Sequence, residues 1–339
     1  MKPKIYKILI LSLASIMFAC QGKIPVKKIN GVSLVASRDS LKPEQIAPMK
    51  KLYSNSVALM PFAFMPNIEE PELYFNNKRQ WYGERKEGIK QAIALLQQQK
   101  LMIMLKPQIW IRNGHFTGDL KFKKEEDWKK FEQSYRDYLL LFAEVARDHN
   151  VEMLCVGTEL FHFVNARPQF WEDLISEIRE FYKGEIVYAE NWDKANKIEI
   201  WKQLDYIGVD AYFPLSNEAS PGLDELRSGW QPHKQMLREL SRKYNKPVIF
   251  TEYGYRSIDY AAREPWNSSR EMNSINHKLQ ADALSALYDE FWSEPWFEGG
   301  FIWKWHQHEN SGGMENNRFT PQNKPAEEVV KSYYKSFTD

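Results

Sequence analysis

The chain has 339 residues, 46 Lys and Arg against 45 Asp and Glu, and a formal net charge of +1. That balance, with the basic residues scattered rather than clustered, argues against a nucleic-acid binder working through an electrostatic field. The compositional outlier is aromatic: 12 Trp, a surplus that in an exported chain points towards sugar binding.

Residues 1–20 read as a leader rather than as part of the fold. Lys2, Lys4 and Lys7 precede an apolar run at 8–18 that is too short to span a bilayer, and Ala19-Cys20 closes it. A Cys after a small residue resembles a bacterial lipobox, in which Cys20 becomes the lipidated first residue of the mature chain. Cleavage by the ordinary signal peptidase is the rival reading. Residues 21–30 then form a tether and 31–339 a single domain, exported and held to a membrane by the N-terminal lipid, facing the periplasm or the exterior. Cys155, the one cysteine beyond the leader, sits in an apolar run and reads as a small core residue.

Along the domain, apolar runs and amphipathic stretches alternate. Strands are expected at 31–36, 56–64, 101–110, 151–157, 185–190, 206–212, 248–251 and 299–305. Helices are expected at 41–53, 84–100, 125–149, 170–182, 197–203, 223–244, 271–292 and 326–337. The clearest is 125–149, where Trp128, Phe131, Tyr135, Tyr138, Phe142 and Val145 recur at three-four spacing. Eight strands and eight helices in alternation imply parallel pairing through crossover helices, closed into one (β/α)8 barrel, the TIM-barrel form of the α/β class. An open doubly wound sheet is the rival, but the Gly-rich fingerprint that such sheets carry after strand one is missing.

Two strands deliver a carboxylate in the same way. Glu159 follows Thr158 at the end of the fourth, and Glu252 follows Thr251 at the end of the seventh. In an eight-stranded barrel these ends face one another across the mouth where active sites sit. Two carboxyl groups across a sugar-sized gap are the minimal apparatus for glycoside hydrolysis, one protonating the leaving oxygen, the other attacking the sugar or activating water. The remaining strand ends supply Lys106, Gln108 and Trp110; Glu190, Asn191 and Trp192; Asp210 and Tyr212; and Trp303, Trp305 and His306. Converging polar and aromatic groups above aliphatic strands form a candidate substrate cleft. Taken singly each has a plainer reading: Trp192 or Trp305 closing the barrel top, Lys106 pairing with Glu190. Neither HExxH nor CxxC occurs and His306-Gln-His308 has no evident third ligand, so neither a metal nor another cofactor is expected. Gly312-Gly313 reads as a turn.

The two Glu residues with the strand-eight Trp303 resemble the large clan of retaining (β/α)8 glycoside hydrolases. Within it, Val57-Ala-Leu-Met-Pro-Phe-Ala-Phe64, Val156-Gly-Thr-Glu-Leu160, Ile207-Gly-Val-Asp-Ala-Tyr212 and Thr251-Glu-Tyr-Gly-Tyr255 are similar to glycoside hydrolase family 113, the β-1,4-mannanase family. The resemblance covers essentially the whole mature chain. It implies Glu159 as acid/base, Glu252 as nucleophile, Tyr212 hydrogen-bonded to the nucleophile, and Trp303 as the floor under the sugar at the cleaved bond. One position departs: many clan members carry Asn before the acid/base, binding the sugar 2-hydroxyl, and this chain has Thr158. The expected partner is a β-linked oligo- or polysaccharide. The alternatives are hydrolysis of another β-1,4-glycan, such as glucan or glucomannan, and an oligosaccharide-binding lipoprotein without catalysis.

Overall fold

A computed structural model describes residues 27–271 and 274–338. The leader, Cys20 and the tether up to residue 26 lie outside the described residues. Eight parallel strands close into a barrel: β1 (Ile29–Leu34), β2 (Ser56–Leu59), β4 (Met102–Leu105), β6 (Met153–Thr158), β7 (Glu185–Asn191), β8 (Ile207–Asp210), β9 (Val248–Tyr253) and β10 (Phe297–Trp305). Their order around the barrel is β1-β10-β9-β8-β7-β6-β4-β2. β1 starts within the stretch expected as tether. Lys28 is buried there, donating to the carbonyls of Glu294 and Phe297, so residues 28–30 belong to the barrel rather than to a tether.

Side-chain alternation divides the core into two layers. Ala58, Met104, Cys155, Val187, Ile249 and Phe301 fill the barrel interior, with Cys155 as core residue. Gly31 makes room for the Phe301 ring, which a Cβ there would meet at 2.3 Å. The larger layer lies between strands and helices. There α3 (Glu125–Asp148) buries its whole aromatic stripe from Trp128 to Val145, each large ring contributing about 1.5–3 kcal/mol of transfer free energy.

The strands expected at 56–64 and 101–110 each break in two. Pro61 and Pro107 have no N–H to continue a ladder. Beyond them the chain resumes as β3 (Phe62–Met65) and β5 (Gln108–Ile111), a separate two-stranded parallel ribbon at the barrel mouth. The helix expected at 41–53 is a 3-10 turn followed by the short α1 (Ala47–Lys51), and that at 197–203 is two 3-10 turns. The helix expected from 271 is α7 (His277–Phe291), which starts where Asn276 caps the Leu279 N–H at 2.9 Å. A six-residue helix, α4 (Phe161–Ala166), was not expected; it starts two residues after Glu159, with Leu160 between them, and precedes α5 (Pro168–Phe181). The other helices, α2 (Lys86–Gln98), α6 (Leu223–Tyr244) and α8 (Pro325–Ser336), lie where periodicity predicts them. Among the described residues no helix is long and apolar enough to cross a membrane.

Candidate active site

β9 carries Glu252 to the barrel mouth, and three donors from different strand ends hold its carboxylate. Lys106, just past β4, donates to Oε1 at 2.6 Å; Gln108 of β5 donates to the same oxygen at 2.9 Å; the Tyr212 hydroxyl, just past β8, donates to Oε2 at 2.9 Å. Behind them Asp210 accepts from Lys106 at 3.0 and 3.2 Å and from the Thr251 hydroxyl at 2.7 Å. Burial would lower the Lys106 pKa, but Asp210 and Glu252 together hold its ammonium well above the usual range. One buried cation thus serves two buried acids. The second acid is correspondingly reluctant to ionise: burial, then the charge of Glu252, pushes Asp210 up to about 7, against Lys106. Burial and the Glu252 charge also raise Tyr212, so its hydroxyl stays protonated and donating.

Glu159 stands in the opposite environment. It sits at the end of β6, past a register shift against β7, in the left-handed backbone region with φ of 51°. Its N–H is fixed by the Ala189 carbonyl at 2.7 Å. Its carboxyl takes no hydrogen bond from the described residues. Burial raises its pKa well above the ordinary carboxylate range, and the charges of Asp210 and Glu252 add to the rise, with Lys106 opposing. A backbone conformation that costs a non-Gly residue free energy, at the end of a strand, is typical of positions held for function.

Four residues expected to touch substrate do not reach the cleft. Lys106, Asp210 and Glu190 are 0–1 % exposed. Lys106 pairs with Asp210 and Glu252 rather than with Glu190. Glu190 instead accepts from the Asn191 N–H at 2.8 Å and the Tyr188 hydroxyl at 3.3 Å, and burial pushes it up to about 8 against those two bonds. The Tyr188 hydroxyl also accepts from the Leu160 N–H at 2.7 Å, tying β7 to the turn at Glu159. Trp305 is buried in the helix-facing layer. Strict alternation would put it beside Trp303, but the β1–β10 register shifts between Val32 and Leu34 and turns Trp305 outwards.

Gln108, Trp110, Asn191, Trp192 and Trp303 keep accessible surface at the mouth, and Tyr212 lines its wall. Two residues absent from the expected set join them. Lys304 places its ammonium 5.4 Å from the centre of the Trp303 ring, lowered in pKa by burial and raised by Glu252. Trp266 stacks on Trp192 at 5.3 Å and 22°. Lys304 was obscured by its place between two tryptophans in a strand, and Trp266 by its place in a loop without periodicity. The wider surface agrees. The well-exposed large apolar side chains among the described residues are Tyr74, Trp81, Trp110, Phe116, Tyr260, Trp266, Ile275 and Met314. Each lies between the end of a barrel strand and the next helix, so all belong to the face that carries Glu159 and Glu252. No group of three or more His, Cys, Asp or Glu residues among those described could hold a metal ion.

Comparison with known proteins points the same way. A family model described as Glycoside Hydrolase Family 113 matches residues 37–324. A solved structure titled as a complex of a GH113 beta-1,4-mannanase is 23% identical with a TM-score of 0.80, covering 92% of this chain and 100% of its own. The GH113 beta-mannanase AaManA from Alicyclobacillus acidocaldarius, in complex with ManMIm, is 25% identical with a TM-score of 0.77, covering 92% and 98%. Ruminococcus gnavus beta-glucuronidase, 12% identical with a TM-score of 0.61, covers 91% of this chain and 50% of its own and shares the fold alone. The search of curated proteins found no match.

Proposed function

The chain belongs to glycoside hydrolase family 113, and on that premise we propose that it cleaves β-1,4-mannosidic bonds in mannan or manno-oligosaccharides with retention of configuration. Glu252 is the nucleophile and Glu159 the acid/base. The observation that carries this division is the contrast between the two carboxyl groups. Three donors converge on Glu252, while Glu159 is raised by burial and by its acidic neighbours. A carboxyl group held by converging donors suits the attacking role, and one whose burial favours the protonated form suits the acid.

In the first step a Glu252 oxygen forms a bond to the anomeric carbon as the glycosidic bond breaks. The departing oxygen takes the Glu159 proton, leaving a glycosyl ester on Glu252 and a carboxylate at Glu159. In the second step Glu159 takes a proton from water, the hydroxide oxygen bonds to the anomeric carbon, and Glu252 is released as carboxylate. A retaining pair of this kind calls for carboxyl groups about 5–5.5 Å apart. Lys106, Gln108 and Tyr212 hold the nucleophile in place by hydrogen bonds, and Trp303 is the platform under the reacting sugar.

A second reading, another β-1,4-glycan as substrate, is favoured by Thr158. It stands where many clan members carry the Asn that binds a sugar 2-hydroxyl, and its shorter side chain lacks the amide that makes that contact. Mannose and glucose differ at that carbon, and discrimination falls to other groups. Reducing-sugar release from mannan, glucan and xylan by the wild type and by Glu252→Ala separates the readings. Mannan cleavage lost in the variant supports the proposal; glucan cleavage alone replaces the substrate; no cleavage of any leaves an oligosaccharide-binding protein.

A further inference from the structure

The ribbon of β3 and β5 has no part in closing the barrel, yet it is firmly built. Its buried face is Ala63, Met65 and Ile111. The Tyr138 hydroxyl bonds the carbonyls of Pro61 and Gln108 at 2.9 and 3.0 Å, and Phe64 exchanges two 2.9 Å backbone bonds with Tyr74. Its open face is aromatic. Phe62 pairs in register with Gln108, and Phe64 with Trp110. The Phe64 and Trp110 ring centres are 5.9 Å apart, and Trp110 is 47% exposed.

Gln108 connects this face to the reaction centre through its 2.9 Å bond to Glu252. Trp110 follows two residues on, about 7 Å further along the strand and on the same side. Phe62 and Phe64 (6.5 Å, 38°) and Phe64 and Trp110 (5.9 Å, 59°) thus form a tilted aromatic strip that leads away from Gln108 and the reaction centre and offers apolar surface to a sugar chain. We propose that the β3–β5 ribbon is a sugar-binding track, with the exposed Trp110 stacking on a hexopyranose unit of the same β-linked chain beyond the one held at Glu252 and Phe64 bracing the Trp110 ring from the side. The proposal rests on the glycoside hydrolase reading of the site. The occupant is the substrate chain because the rings are continuous with the mouth through Gln108.

The test is a series of β-1,4-linked oligosaccharides of increasing length, assayed as kcat/KM with the wild type, Trp110→Ala and Trp110→Phe. The track predicts that the ratio of hexasaccharide to disaccharide kcat/KM falls about tenfold or more in Trp110→Ala and is largely kept in Trp110→Phe, which retains a ring. An unchanged ratio in Trp110→Ala, or an equal loss at every length, overturns it. If the wild type cleaves gluco- but not manno-oligosaccharides, the mannan reading fails and the ratio is read on the gluco series. If it cleaves neither, titration of the wild type and Trp110→Ala with both hexasaccharides decides: weaker binding by the variant supports the track, and equal or undetected binding overturns it.

Discussion

At the level of single residues, the site is a problem of buried charge. Lys106 is the one cation bonded to both Asp210 and Glu252, and removing it would leave two acids buried without it. Lys106→Met is therefore expected to lower kcat by about a hundredfold or more and to destabilise the fold by about 3–5 kcal/mol, measured by steady-state kinetics and denaturant unfolding. Glu190 gives a separate test. Its folded pKa of about 8 lies above the unfolded carboxyl value, so its contribution is fully present below about pH 4.5 and is lost as pH rises through about 8. Glu190→Gln keeps the shape and removes the titration. It is expected to gain on the order of 2–5 kcal/mol relative to the wild type between pH 5 and pH 9, read from Tm against pH. Catalysis itself should follow a bell-shaped pH profile, falling on the alkaline side as Glu159 loses its proton; a rate still rising above about pH 9 would contradict Glu159 as the acid.

At the level of elements, what alternation predicts depends on where the ladder stays regular. Glu159 and Glu252 were legible because each follows an apolar strand and a Thr, and both stand at the mouth. Trp305 was not, because a register shift on β10 reverses its side. Lys106, Asp210 and Glu190 were legible as strand-end residues but not as buried ones. Their partners are distant in the chain, Lys106 and Glu252 being 146 residues apart, or lie on the hidden side of the strand. The break of the second and third strands into β2–β3 and β4–β5 was written in Pro61 and Pro107, but a lone Pro does not say whether pairing resumes beyond it. The amphipathic stripe of α3 was fully legible. Phe142→Ala should cost about 3–5 kcal/mol in unfolding free energy with little change in KM, since this ring faces the strands and not the cleft.

For the whole molecule, the barrel sets the chemistry and the loops on one face set the reach. The exposed aromatic side chains gather on that face, on β5 and in the loops after β3, β5 and β9, which gives an extended surface around a compact reaction centre. Fold and family were legible in the alternation of elements and in four short motifs; Trp266 and Lys304 emerged only once the loops and the β10 twist were in place. The N-terminal reading belongs to this scale as a proposal of its own: Cys20 carries the lipid that holds the enzyme to a membrane. Metabolic labelling with a fatty acid should mark the wild type and not Cys20→Ala, and the variant should leave the membrane fraction; equal labelling of both would remove the anchor from the account.

The most direct test of the central claim is the anomeric configuration of the first product, followed by proton NMR during hydrolysis of mannohexaose. A retaining enzyme with Glu252 as nucleophile releases the β-anomer first, with the α-anomer appearing only by mutarotation, and Glu252→Ala releases neither at a comparable rate. Initial release of the α-anomer, or undiminished hydrolysis by Glu252→Ala, would contradict it.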